Sequence, residues 1–150
     1  MELKLKPLSP KLGKEIPFPA YATAGSACMD LRACIDGPVV IPAGERKMIP
    51  CGFAIALPSP DYVALVFARS GMAIKSGIAP ANCVGVIDSD YRGEVIVGLL
   101  NSSKADYTIA PGDRIAQLAV MPVVQAQVTV TDALDETERG AGGFGSTGKA

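Results

Sequence analysis

The chain has 150 residues, 49% of them hydrophobic, with a formal net charge of −1 and no histidine. That is the length of one domain, and a globular chain of this size buries about 70% of its unfolded surface without disulfide or metal staples. Near-balanced charge argues against a general nucleic-acid or membrane-surface binder, no apolar run approaches the ~20 residues of a membrane span, and the missing histidine argues against zinc sites and Ser–His or Cys–His catalysis.

In chain order the pattern is one of short strands and turns. The start, MELKLKPLSP, lacks the apolar stretch of a signal peptide. β-Branched or alternating runs predict strands at Leu3–Lys6, Val39–Ile41, Lys47–Ile49, Phe53–Leu57, Tyr62–Phe67, Cys83–Ile87, Glu94–Leu100, Tyr107–Ile109, Ile115–Pro122 and Gln127–Val130. Asp36-Gly37-Pro38, Pro42-Ala43-Gly44, Pro58-Ser59-Pro60 and Pro111-Gly112-Asp113 are the turns between them. Only Ser70–Lys75 reads as helical, for a turn or two. Many short strands at this spacing predict an all-β fold, a jelly-roll-like distorted barrel. Composition shifts after Asp132, where apolar residues thin out and glycine takes over. The expected division is a barrel at 1–138 and a glycine-rich C-terminal segment at 139–150. Cys28, Cys34, Cys51 and Cys83 show no C-x-x-C spacing and read as small buried hydrophobes in a reducing cytosol.

Four segments within the barrel carry polar residues that packing alone does not call for. Ala24–Ala33 puts Asp30 in an apolar strand, where an unpaired carboxylate is costly. Ala68–Ala73 offers Arg69 for bidentate phosphate binding, the Ser70 hydroxyl, and Gly71 for close backbone approach; a capped helix start with a solvated arginine is the structural alternative. Asn82–Val97 (NCVGVIDSDYRGEVIV) reads as a β-hairpin about Ser89-Asp90, with Asp88 facing Tyr91 and Cys83 facing Ile96. Such a hairpin carries an amide end, at Asn82 and the backbone near Ile96, and a carboxylate end at Asp88. Asn offers both donor and acceptor, as strand-end peptides do, and together they match the edge of a pyrimidine. Turn chemistry alone also accounts for Asp88-Ser89-Asp90. Pro111–Leu118 places Gln117 in an apolar run, where it needs a partner; Asp113 and Arg114 are expected to brace the turn.

The tail, Arg139–Ala150 (RGAGGFGSTGKA), matches parts of two phosphate-binding patterns. Gly140, Gly142 and Gly145 fit G-x-G-x-x-G, and Gly143, Gly148 and Lys149 fit G-x-x-x-x-G-K. Both patterns aim a helix N-terminus at phosphate, and the chain leaves no room for that helix. A lid closing over a site built elsewhere is the expectation.

In this order, the four segments and the tail resemble the five motifs of the trimeric dUTP pyrophosphatase (dUTPase) family, from about Tyr21 to Gly148. Cys28-Met29 and Met72 depart from that pattern at packing positions. The resemblance implies hydrolysis of dUTP to dUMP and pyrophosphate with Mg2+, in a homotrimer with shared active sites, in the cytoplasm, without nucleic acid or membrane. It implies that Asp88 is the general base for a water attacking the α-phosphorus. Arg69, Ser70, Gly71 and Gln117 then lie at the phosphates. Asn82 and the backbone of Gly85, Val86, Ile87 and Ile96 read uracil, and Tyr91 lies flat on the deoxyribose. Arg139 binds phosphate, Phe144 covers the base, and Gly145 and Ser146 touch substrate. The metal takes phosphate and water oxygens with no direct protein ligand, and Asp30 either reaches it through water or is structural. A dCTP deaminase, which needs a glutamate near the base, and a non-catalytic nucleotide-binding regulatory trimer are the rival readings.

Overall fold

The computed structural model describes residues 1–143. Ten strands and one helix follow in order: β1 Lys4–Pro7, β2 Met29–Arg32, β3 Val39–Ile41, β4 Arg46–Ala56, β5 Tyr62–Phe67, α1 Ser70–Ser76, β6 Ile78–Pro80, β7 Gly85–Ile87, β8 Glu94–Asn101, β9 Tyr107–Ile109 and β10 Arg114–Pro122. They form two four-stranded sheets, β1-β4-β8-β6 and β2-β10-β5-β7, and a two-stranded ribbon β3-β9. Every strand pairing is antiparallel. The architecture is the expected all-β, jelly-roll type.

Alternation explains the layering. In β8 Val95, Val97 and Leu99 are buried while Ile96 is exposed, as a strand with one face on the core requires. Both large sheets and the ribbon contribute to one apolar core, which includes Leu31, Ile41, Ile49, Phe53, Val97, Ile109 and Leu118. α1 adds Met72 to that core and stops at Gly77, whose φ of 69° suits a left-handed helix cap. Among the described residues no helix is long and apolar enough to cross a membrane.

Three expectations change. Lys47–Ile49 and Phe53–Leu57 are one strand, β4, with a bulge between Pro50 and Ala54. At the bulge Gly52 has a φ of 78°, and a Cβ there would lie 2.5 Å from Cys34 Sγ. The Glu94 carboxylate accepts the Gly52 N–H at 2.8 Å, tying the bulge to the start of β8. Gln127–Val130 is not a strand. Val128 and Val130 are 86% and 93% exposed, and the segment has no sheet partner among the described residues.

The third change concerns the hairpin. β7 pairs with β5 in one sheet, and β8 pairs with β4 and β6 in the other. Cys83 is the cause at one end. Its φ of 63° kinks the chain between β6, which pairs with β8, and β7, which pairs with β5. At the other end the turn closes from Tyr91 N–H to the Asp88 carbonyl (3.2 Å), and Arg92 and Gly93 follow before β8 begins. That connection is too long for the two-residue turn of a tight hairpin. The strands splay instead of pairing.

The cysteines fit the small-hydrophobe reading in part: Cys34 and Cys51 are buried, Cys28 half-buried and Cys83 exposed, all free. Burial pushes the Cys51 thiol up to about 12.

Candidate active site

Splaying leaves two strand edges facing each other. β7 uses one edge for β5, and β8 is flanked by β6 only from Leu99 to Asn101. Between the free stretches lies a cleft of about 290 Å³. Asn82, Gly85, Val86, Ile87, Asp88, Tyr91 and Ile96 all line it. All the residues expected to read the base, touch the sugar or activate water thus share one cavity. A slot bounded by unpaired peptide groups presents donors and acceptors at fixed spacing, which a flat heterocycle can satisfy.

Each side chain has a local reason for its place. Asn82 sits at the kink, where the Val84 N–H bonds its carbonyl at 2.7 Å. A Cβ on Gly85 would lie 3.1 Å from Val66 Cβ and 3.6 Å from Asn82 Nδ2, so glycine keeps β7 close to β5 and to that amide. Asp88 is exposed at the other end of the cleft, and its carboxylate has no partner among the described residues. Tyr91 folds back over the connection and donates its hydroxyl to the Glu94 carbonyl at 3.2 Å.

A second polar group gathers where β2, β10 and the start of α1 meet. Arg69 Nε donates to Asp30 Oδ1 at 3.0 Å, and Arg114 Nη1 to Asp30 Oδ2 at 3.2 Å. Arg69 Nη1 also bonds the Arg114 carbonyl at 3.3 Å. Asp30 is therefore a clamp on two guanidiniums, which answers the cost of a carboxylate in an apolar strand. Gln117 stands opposite both Asp30 and Phe67 in the β10 registers and donates to the Ala68 carbonyl at 2.9 Å, bracing the chain just before Arg69. Arg69, Gly71 and Arg114 line a separate shallow cleft with Lys75. Ser70 is exposed at the start of α1, and a Cβ on Gly71 would meet nothing within 4 Å, so packing within this chain does not explain that glycine. Asp113 braces its turn, accepting from the Ala110 N–H at 2.8 Å.

The two groups do not meet within this chain. Val66 pairs with Gly85 and Ala64 with Ile87, which sets Asp88 level with Val63. Arg69 lies two residues beyond Phe67, and Phe67 at the other end of β5 is about 13 Å from Val63 at ~3.3 Å per residue. In the tail, Arg139 is exposed and its Nε donates to the Gly142 carbonyl at 3.0 Å. Phe144, Gly145 and Ser146 lie outside the described residues.

Sequence reasoning missed Met48. Met48 comes from β4, opposite Gly98, and lines the cleft while 68% exposed. An exposed methionine in an alternating strand was the available signal. Glu94 also lines the cleft, but its carboxylate is engaged with Gly52.

The fold and its two polar groups define a jelly-roll-type barrel with a peptide-lined slot for a flat ring and a guanidinium cluster suited to anions. A family model described as dUTPase matches residues 14–148. A deoxyuridine 5'-triphosphate nucleotidohydrolase of Idiomarina loihiensis is 48% identical over 149 residues, 99% of each chain. One from Hahella chejuensis is 51% identical over 146 residues, 97% of this chain and 96% of its own. Among solved structures, the dUTPase of Staphylococcus bacteriophage 80alpha with dUPNHPP is similar at a TM-score of 0.87 and 25% identity, covering 99% of both chains. A mutant dUTPase from phage phi11 of S. aureus, whose structure describes coordination of a structural Mg(II) ion, shares the fold at a TM-score of 0.78 and 21% identity, over 91% of this chain and 100% of its own. The chain belongs to the dUTPase family.

Proposed function

We propose that this protein hydrolyses dUTP to dUMP and pyrophosphate, with Asp88 orienting and deprotonating the water that attacks the α-phosphorus. The observation that carries the reading is the slot between β7 and β8, ending at a carboxylate that has no partner among the described residues. Uracil enters edge-on against the peptides of Gly85, Val86, Ile87 and Ile96 and the amide of Asn82. The narrow slot rejects the thymine methyl by apolar exclusion, worth roughly 1–3 kcal/mol, and mismatched amide polarity rejects cytosine more strongly. A carboxylate is a weak base near neutral pH, so positioning and charge stabilisation supply most of the rate.

Arg69, Ser70, Gly71 and Gln117 hold the triphosphate. Asp30 and the Arg114 carbonyl fix the Arg69 guanidinium through Nε and Nη1, leaving Nη2 to face phosphate. That favours the structural role for Asp30 over contact with metal-bound water. The donors fit magnesium in kind. Asp88, at the end of the slot, is a hard oxygen group that suits a metal's bound water, and among the described residues no three His, Cys, Asp or Glu side chains gather into a cage. Magnesium keeps most of its water and binds chiefly through substrate phosphates. When bound it neutralises phosphate charge.

The site is completed between copies of the chain, in a homotrimer. The separation of Asp88 from Arg69 along β5 supports this, because one chain's base and its own phosphate cluster stand at opposite ends of a ladder. The segment after Pro122 supports it too: Val124, Val128, Val130 and Leu134 are all more than 85% exposed, a run of apolar side chains without cover in one chain. Residues 139–150 act as the lid, with Arg139 on phosphate, Phe144 over the base, and Gly145 and Ser146 on substrate. A cytoplasmic setting suits four free cysteines.

The test is pyrophosphate release from dUTP, dCTP, dTTP and UTP, with and without magnesium. The reading requires magnesium-dependent release from dUTP well above the other three. Ammonia from dCTP would indicate a deaminase, and tight dUTP binding without release would indicate a regulatory trimer. The engagement of Glu94 with Gly52 weighs against the deaminase, which needs a free glutamate near the base.

A further inference from the structure

The ring of Tyr91 reaches its position only because residue 93 has no side chain. A Cβ built on Gly93 would lie 2.5 Å from Tyr91 Cζ and 3.0 Å from Cε2, with the phenolic oxygen closer still. All three near neighbours of that Cβ are atoms of Tyr91. Gly93 is not among the glycines with positive φ, so its backbone does not itself demand glycine. What it supplies is room, and the room is filled by a single ring.

The next residue holds that ring in place. The Tyr91 hydroxyl donates to the Glu94 carbonyl at 3.2 Å, and the Glu94 carboxylate is anchored on the Gly52 N–H at 2.8 Å. Gly52 sits at the β4 bulge, where buried Cys34 occupies the space a Cβ would take. The pose of an otherwise half-exposed tyrosine at the cleft is thus set from behind, through a chain of contacts that ends in the buried core.

We infer that Gly93 and Glu94 are positioning residues for sugar selectivity: they seat Tyr91 against the cleft wall so that a 2′-hydroxyl finds no space. The inference rests on the reading of Tyr91 as the ring against the deoxyribose. It goes beyond that reading by assigning the discrimination to the vacancy at residue 93 and the carbonyl at residue 94. A methyl at residue 93 evicts the ring from its seat without touching the nucleotide.

The experiment is a double-substitution cycle read as the ratio of kcat/KM for dUTP to that for UTP, in the full-length protein. Gly93→Ala is expected to lower the ratio by about tenfold or more, since steric exclusion of one small group is worth roughly 10–200-fold. Tyr91→Ala is expected to lower it at least as much. Adding Gly93→Ala to Tyr91→Ala is expected to change the ratio no further, because the three atoms nearest the new methyl are gone. If Gly93→Ala alone is too unstable to assay, recovery of folding in the double variant supports the inference, because it shows the ring to be what the methyl displaces. If Tyr91→Ala lowers the ratio and Gly93→Ala leaves it at the wild-type value, the inference is overturned and the Tyr91 reading stands. If neither variant moves the ratio, the Tyr91 reading falls and takes the inference with it. An equal loss from Gly93→Ala with and without the ring also overturns it, because the glycine would then act through the backbone.

Discussion

Asn101 is the one buried polar side chain among the described residues, and its removal has a calculable cost. Its Nδ2 donates to the Ile41 carbonyl at 2.9 Å and the Ala105 carbonyl at 2.8 Å, while Oδ1 accepts from Ser103 N–H at 3.0 Å and Ser103 Oγ at 2.7 Å. The amide therefore joins the end of β8 to β3 and to the loop that leads into β9. Asn101→Ala removes all four bonds. Freed from Oδ1, the Ser103 hydroxyl turns its one hydrogen to the Ala105 carbonyl 2.9 Å away, so that acceptor keeps a partner, and the N–H of partly exposed Ser103 turns to water. The Ile41 carbonyl loses this donor in a fully buried setting that water does not reach. An unsatisfied buried group costs ~1–3 kcal/mol and each of the three other lost bonds ~0.5–1.5 kcal/mol, which sums to about 2.5–7.5 kcal/mol. Against a domain stability of ~5–15 kcal/mol that is a large fraction. Urea unfolding at fixed chain concentration measures it as a fall in midpoint with the slope unchanged. A loss under about 1 kcal/mol by that measure would refute the reasoning, since it would mean the carbonyls are readily rehydrated.

Three shorter predictions accompany it. Asp88→Asn keeps the shape of the cleft and removes the proposed base, so dUTP binding is expected to persist while turnover drops by roughly 10²–10⁴-fold; single-turnover pyrophosphate release checks this, and wild-type turnover would sink the assignment. Ending the chain at Glu138 is expected to leave a folded oligomer with little activity, because among the described residues Arg139 bonds Gly142 and Gly140 bonds Thr137, contacts local to this end of the chain; loss of the β-sheet circular dichroism signal would show the segment to be structural instead. Cys51, raised from 9.0 to about 12 mainly by burial, is held as the neutral thiol in the fold. Its contribution to stability is complete below the unfolded value near 9 and is lost as pH rises through about 12. Cys51→Ala is expected to flatten the alkaline slope of stability, and a thiol reagent at pH 8 is expected to label exposed Cys83 rapidly and Cys51 only on unfolding.

Local pattern made much of the barrel legible. Val39–Ile41, Tyr62–Phe67 and Tyr107–Ile109 appear at their expected bounds, since alternation and bracketing turns are local properties. The polar residues of the cleft were legible because Asn, Asp and Tyr within apolar runs need an explanation wherever the fold puts them. What misled was the inference from adjacency in sequence to pairing in space. Two apolar runs about Ser89-Asp90 look like a hairpin, yet the kink at Cys83 and the long connection through Gly93 send them to different sheets. Gln127–Val130 has the composition of a strand and no partner strand within the described residues.

By itself the sequence determined which residues alternate onto a core, where the turns fall, and which few polar groups stand where burial would penalise them. Those are one-dimensional properties, set by side-chain chemistry and the twofold period of a strand. Only the tertiary structure decided that β7 and β8 face each other unpaired across a cleft, that Asp30 grips Arg69 and Arg114, and that Gly93 makes room for Tyr91. These depend on which edges are already occupied and on contacts between atoms a few ångströms apart, and neither is written in the spacing of residues along the chain.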